Sequence, residues 1–280
     1  LSERGRTVRT IAPDALHALV DAWGGRSVVA GALACAARHG RLDFPWKRLT
    51  LGDPRVLFGR VCARVLEQRT ESVPRVPGVA VSPQAAGFVC FGTISSTMDG
   101  AQALCFVSSL DDYNEADVLT DYYQEPVRLS AVRRGQRRSV LDEWRCGRAA
   151  GDACMYVLEQ RALELSTYQL REALWHKNYP ECTLFKNTLS RAIYEHFGAR
   201  TVLDFSAGWG DRLIGAIAAA GVQRYVGVDP NTALRPGHDA MRAQLCPLAH
   251  KDPAAFAVVY EPFQHAALPD DVHDFDLVFT

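Results

Sequence analysis

Asp204, Gly208, Gly210, Asp211 and Asp229 are the residues whose types and spacing suit a chemical site. The glycines flank Trp209 in the small-residue run Ser206-Ala207-Gly208-Trp209-Gly210. Glycine lets a backbone turn sharply and approach a ligand closely. Asp229 follows Gly210 by 19 residues, near the roughly 20 at which a carboxylate meets ribose hydroxyls in nucleotide-binding folds. The chemistry implied is the capture of a ribose-bearing ligand.

Such a site needs a strand before the turn, a helix after it and a second strand ending at the distal carboxylate. The sequence supplies each in order. Residues 201–205 read as a strand, and 211–220 read as a helix stopped by Gly221. Residues 224–228 read as a second strand ending in Asp229-Pro230-Asn231. A third strand is expected at 255–259, with Phe263 placed to line an adenine or to pack, and a fourth over 275–280. The fold class predicted is α/β, a Rossmann-like doubly wound sheet with its fourth strand beside its first.

A dinucleotide site favours a third small residue three positions after the second glycine. Leu213 occupies that position, and the first helical residue, Asp211, is acidic. An acidic side chain suits a pyrophosphate poorly at a helix N-terminus. With Asp204 it favours a ligand carrying an ammonium and a sulfonium, as S-adenosyl-L-methionine does.

The run 202–216, VLDFSAGWGDRLIGA, resembles the first motif of class I S-adenosylmethionine-dependent methyltransferases. Within that class it looks like amino-methylating DNA methylases, including viral ones. Tyr225-Val226-Gly227-Val228-Asp229-Pro230-Asn231 resembles the second motif of the group. The resemblance covers residues 166–280. It implies a cofactor site built from Asp204, Ser206, Ala207, Gly208, Trp209, Gly210, Asp229, Pro230 and Asn231, with Phe263 beside adenine. Thr183, Phe185 and Lys186 match a segment that covers the methionine end of the cofactor in that group, although Asn187 stands where Pro is usual.

The reaction implied is methyl transfer to an exocyclic amine of a base, adenine N6 or cytosine N4, on DNA. RNA, including a cap adenosine, is the alternative substrate, and a catalytically silent cofactor-binding subunit the alternative role. An NAD-dependent oxidoreductase stands behind both. The strand at 275–280 looks like the one that leads into the group's catalytic tetrapeptide. Because the chain starts at Leu1 and stops at Thr280, it reads as a fragment whose catalytic residues lie beyond Thr280 and whose fourth strand is a bare edge.

The preceding residues, 1–165, are expected to form an α+β domain of unread role. Helices are predicted over 14–23, over 28–38 capped by Ser27, and over 54–68 started by Asp53-Pro54. A linker is expected at 71–77, followed by strands at 87–91 and 103–107. Helices over 163–175 and 188–197 follow, the second with Leu189, Ala192, Ile193 and Phe197 on one face. The basic cluster Arg133, Arg134, Arg137 and Arg138 can contact nucleic-acid phosphates or form a solvated turn.

Apolar content of 48%, charged content of 22% and a net charge of −1 are ordinary for a globular chain. They give no global push toward nucleic acid or membrane. The eight cysteines form no Cys-x-x-Cys pair, which disfavours a zinc ribbon and suits a reducing intracellular compartment, cytoplasm or nucleus. No run approaches a membrane span. The carboxylates of 111–125 read as a solvated loop rather than a metal site.

Overall fold

The computed structural model describes residues 10–73, 90–97, 100–107, 115–160, 164–269 and 274–279. Two compact units interleave along the chain. The first comprises Leu1–Gly52 and Gln124–Thr183, the second Asp53–Tyr123 and Leu184–Thr280.

The first unit is helical. It contains α1 (Pro13–Ala22), α2 (Arg26–Arg38), most of α4 (Leu119–Ser130), α5 (Val140–Arg145), α6 (Arg148–Glu159) and α7 (Thr167–His176). α2 begins behind Gly25 at φ 120° and not behind a Ser27 cap. α7 starts where Ser166 Oγ accepts the Gln169 N–H. α2 and α6 approach closely, because a Cβ on Gly147 would lie 2.5 Å from the Ala34 carbonyl oxygen. The core collects Leu16, Val29, Trp144, Cys154, Val157 and Leu170 from these helices.

A buried ionic cluster ties the unit's distant segments together. Glu125 accepts from Arg171 Nη1 at 2.6 Å and from the backbone N–H of Lys47 and Arg48 at 2.8 and 2.9 Å. Arg171 also pairs with Glu181, which Arg128 meets at 2.9 Å. Burial alone would push the Glu181 carboxyl up, but Arg171, Arg128 and Lys47 outweigh it and hold it at about 2.

The second unit opens with α3 (Pro54–Ala63), which Asp53 caps by accepting the Arg55 N–H. The expected extension to residue 68 does not form. Arg191 Nη1 donates to the Val61 and Arg64 carbonyls, both at 2.8 Å, closing the helix end, and the chain enters β1 (Glu67–Val73). β1 thus occupies the start of the expected linker, whose residues 74–77 lie outside the described residues. β2 (Cys90–Thr97) and β3 (Gly100–Val107) complete an antiparallel sheet of order β1-β3-β2. Residues 87–89 of the expected strand and 111–114 of the acidic stretch lie outside the described residues; the rest of that stretch, 115–125, is helical with Asp117, Asp121 and Glu125 buried, and is not the expected solvated loop.

α8 (Asn187–His196), β4 (Thr201–Asp204), α9 (Asp211–Ala218), β5 (Arg224–Val228), α10 (Arg235–Leu245), β6 (Phe256–Val259) and β7 (Leu277–Phe279) follow. The four strands form an all-parallel sheet of order β6-β5-β4-β7. The last strand therefore lies beside the first, as expected. Asp276 fixes that pairing by accepting the Arg200 and Thr201 N–H groups at 2.9 and 2.8 Å. Val202, Tyr225, Val226 and Val228 are fully buried, as strands covered on both faces should be.

α8 crosses α9 at a glycine. A Cβ on Gly215 would meet Ser190 Oγ at 2.0 Å and the Arg191 nitrogen at 2.8 Å. The buried face of α8 is Leu189, Ala192 and Tyr194 with the polar Asn187, Thr188 and Ser190, whereas Phe197 is exposed. The polar members have partners: Thr188 N–H and hydroxyl donate to Asp117 Oδ1, and Asn187 Nδ2 donates to the Ala116 carbonyl.

Candidate nucleotide site at the carboxyl edge of the sheet

β4 ends at Asp204, and the chain then turns through 205–210 into α9. Gly208 has φ 56° and Gly210 φ 96°, left-handed values that side chains with a Cβ rarely adopt. Gly210 is also sterically confined, since a Cβ there would lie 2.7 Å from Met241 Sδ. The turn is anchored to β5, where the Ala207 N–H donates to the Val228 carbonyl at 2.9 Å.

Asp229 stands at the tip of β5, half-buried. Its Oδ2 accepts the Gly208 N–H and its Oδ1 the Asn231 N–H, each at 2.9 Å. Each oxygen retains acceptor capacity beyond its single backbone bond. Asn231 is exposed and caps the next turn by accepting the Ala233 N–H, with exposed Pro230 before it.

Asp204 is fully buried. Arg212 grips it through Nε–Oδ2 at 2.8 Å and Nη2–Oδ1 at 3.1 Å, and the Tyr225 hydroxyl donates to Oδ2 at 2.7 Å. Arg212 also donates to the Ser206 carbonyl and lies over the rings of Phe185 and Phe279. Of the pair, the Arg212 side chain is 14% exposed and that of Asp204 is not exposed at all, so only Arg212 is open to a ligand. Asp211 is buried as well, its Oδ1 accepting the Thr120 hydroxyl at 2.7 Å. The two carboxylates that argued for a cationic ligand are therefore both engaged by protein groups.

Phe205 and Phe263 meet at 5.3 Å with exposures of 37% and 44%, an open aromatic pair beside the turn. Ser206 is exposed, Ala207 buried and Trp209 half-buried. Lys186 sits half-buried at the N-cap of α8. The turn and the Asp229 tip are thus brought together. Arg133, Arg134, Arg137 and Arg138 belong to the first unit, on the loop between α4 and α5, with all but half-buried Arg133 exposed around Gly135.

Sequence reasoning passed over Arg212 and Tyr225 as site residues. Arg212 lies inside the motif and carries a signal, as the one cation among residues 202–216.

Among the described residues, no group of three or more His, Cys, Asp or Glu is placed to hold a metal ion. No described helix is long and apolar enough to cross a membrane. No protein-family model, curated protein or solved structure matches the chain at a significant level.

Proposed function

We propose that this chain binds S-adenosyl-L-methionine and belongs to an enzyme that methylates an exocyclic amine of a nucleic-acid base, adenine N6 or cytosine N4. The observation that carries the reading is the left-handed Gly208–Gly210 turn at the carboxyl edge of β4, hydrogen-bonded to the half-buried Asp229 at the tip of β5. Ligands of open parallel sheets bind at this edge. The finer fold assignment, the first four strands of a class I methyltransferase sheet, goes with this reading.

The residues present fit such a group. Asp229 retains acceptor capacity for ribose hydroxyls. The Phe205–Phe263 pair offers an aromatic face for adenine. Arg212 and Ser206 suit the carboxylate of the methionine end. When bound, the cofactor supplies an electrophilic methyl carbon. The chain's own residues bind and orient it. The exposed arginines 134, 137 and 138, with Arg133, are assigned to nucleic-acid phosphates, DNA before RNA. A base in a duplex must leave the stack to be reached.

One observation favours a second reading, dinucleotide binding: Asp211 is bonded to Thr120 and buried, which weakens its expected repulsion of a pyrophosphate. Calorimetric titration with S-adenosylmethionine and separately with NAD decides between them. Binding of S-adenosylmethionine, weakened in Asp229→Asn, supports the proposal. Binding of NAD alone overturns it.

A further inference from the structure

His238 is buried on α10, 0% exposed, and takes no part in the site as drawn above. Its ring nevertheless touches the ligand turn. Nε2 lies 3.0 Å from the Gly208 carbonyl oxygen, and Nδ1 lies 3.0 Å from the Tyr260 hydroxyl just past β6. A carbonyl oxygen only accepts, so Nε2 carries the hydrogen. In a neutral ring Nδ1 is then an acceptor, and the Tyr260 hydroxyl donates to it.

We propose that His238 is a positioning residue, the neutral middle of a relay that runs from the Tyr260 hydroxyl through the imidazole to the Gly208 carbonyl and sets the glycine turn before ligand arrives. The ligand in question rests on the function proposed above.

Three features support the assignment. The Gly208 N–H is held by Asp229 and its carbonyl by His238, so both backbone polar groups of this residue are fixed from neighbouring elements. A Cβ on Gly210 would meet His238 Cδ2 at 3.0 Å and Met241 Cε at 3.0 Å, so α10 supports the turn sterically too. Burial pushes the His238 ring down to about 4, against the Gly208 carbonyl and the charges of Asp229 and Asp239, which pull it up. Burial likewise raises Tyr260 to about 12, keeping its hydroxyl a donor at neutral pH. The charged groups around the relay are Asp229 on the β5 tip and, on α10 itself, Asp239, Arg242 and Arg235, whose guanidinium stacks 4.3 Å over Tyr260. The device is preorganisation: ordering the turn in advance lowers the cost of binding.

The test uses the whole chain, with S-adenosylhomocysteine as the probe ligand. Nitrogen-15 spectra of His238 should show the neutral Nε2–H form at pH 7. His238→Leu, which removes the donor, should raise amide exchange at Gly208 and Gly210 and weaken the probe by about tenfold, the scale of one hydrogen bond. His238→Gln keeps an N–H near the Nε2 position and should restore both to within about threefold. Should the Leu variant not fold, Tyr260→Phe removes only the hydroxyl and should mix the two tautomers and speed Gly208 exchange. An Nδ1–H or charged ring at pH 7, or a folded Leu variant with unchanged exchange, overturns the relay. A wild-type protein that ignores the probe overturns the proposed cofactor, while tautomer and exchange still judge the relay.

Discussion

Arg212 and Asp204 form a two-pronged ion pair, Nε–Oδ2 at 2.8 Å and Nη2–Oδ1 at 3.1 Å, that ties the first turn of α9 to the end of β4. Asp204 is fully buried, so removing the guanidinium strips a buried carboxylate of its ion-pair partner. Arg212→Met should destabilise the fold by about 3–5 kcal/mol, the range for a buried charge stripped of its partner. The double variant with Asp204→Asn should recover more than half of that loss. Urea unfolding of the four species measures the coupling.

His238 and Glu181 both contribute to the acid limb of stability. The folded His238 ring sits at about 4 against an ordinary 6.5. Between those values the unfolded chain binds more protons, so stability is fully present above pH 6.5, falls toward pH 4 and falls no further from this source. At about 1.4 kcal/mol per unit, the loss is about 3 kcal/mol. Glu181, held at about 2 against 4.5, adds stability above pH 4.5 that disappears as pH falls through 2. Urea midpoints across pH 2–8 should show both limbs, the upper flattened by His238→Gln and the lower by Glu181→Gln.

Gly215 is where α8 and α9 touch. Gly215→Ala would place a methyl 2.0 Å from Ser190 Oγ and 2.8 Å from a backbone nitrogen. The helices must separate, at a cost of about 1–3 kcal/mol. Alanine is otherwise the better helix former, so a stabilised variant would contradict the close crossing. Thermal unfolding reads the sign.

The loop between α4 and α5 yields a salt-dependent prediction. Replacing Arg133, Arg134, Arg137 and Arg138 by Gln should lower the slope of log affinity against log salt for a DNA oligonucleotide by roughly 2–4. The unfolding midpoint should move little, because three of the four are exposed. An unchanged slope would make the loop a plain solvated turn.

The parallel sheet was legible because its signals are local: apolar runs at 201–204 and 224–228, glycines at 208 and 210, a carboxylate at 229. The partner of each polar group was not. Asp204 reads as a ligand contact until Arg212 and Tyr225 are seen to surround it. α3 has no stop signal at Ala63, since its end is closed by Arg191, far along the chain. The polar face of α8 looks unfavourable until Ala116 and Asp117 arrive to satisfy it.

The interleaving of the two units governs the order in which the chain can become itself during synthesis. Arg191 must emerge before α3 is closed, and Thr188 before Asp117 has its partner. In the other unit, Ile11 waits for Leu165, and Glu125 for Arg171. Contacts so distant in sequence slow folding. A piece cut to begin at residue 166 would keep the glycine turn but leave Asn187, Thr188 and Arg191 without their partners on 61–64 and 116–120. The sheet motif is contiguous, and the protein that stabilises it is not.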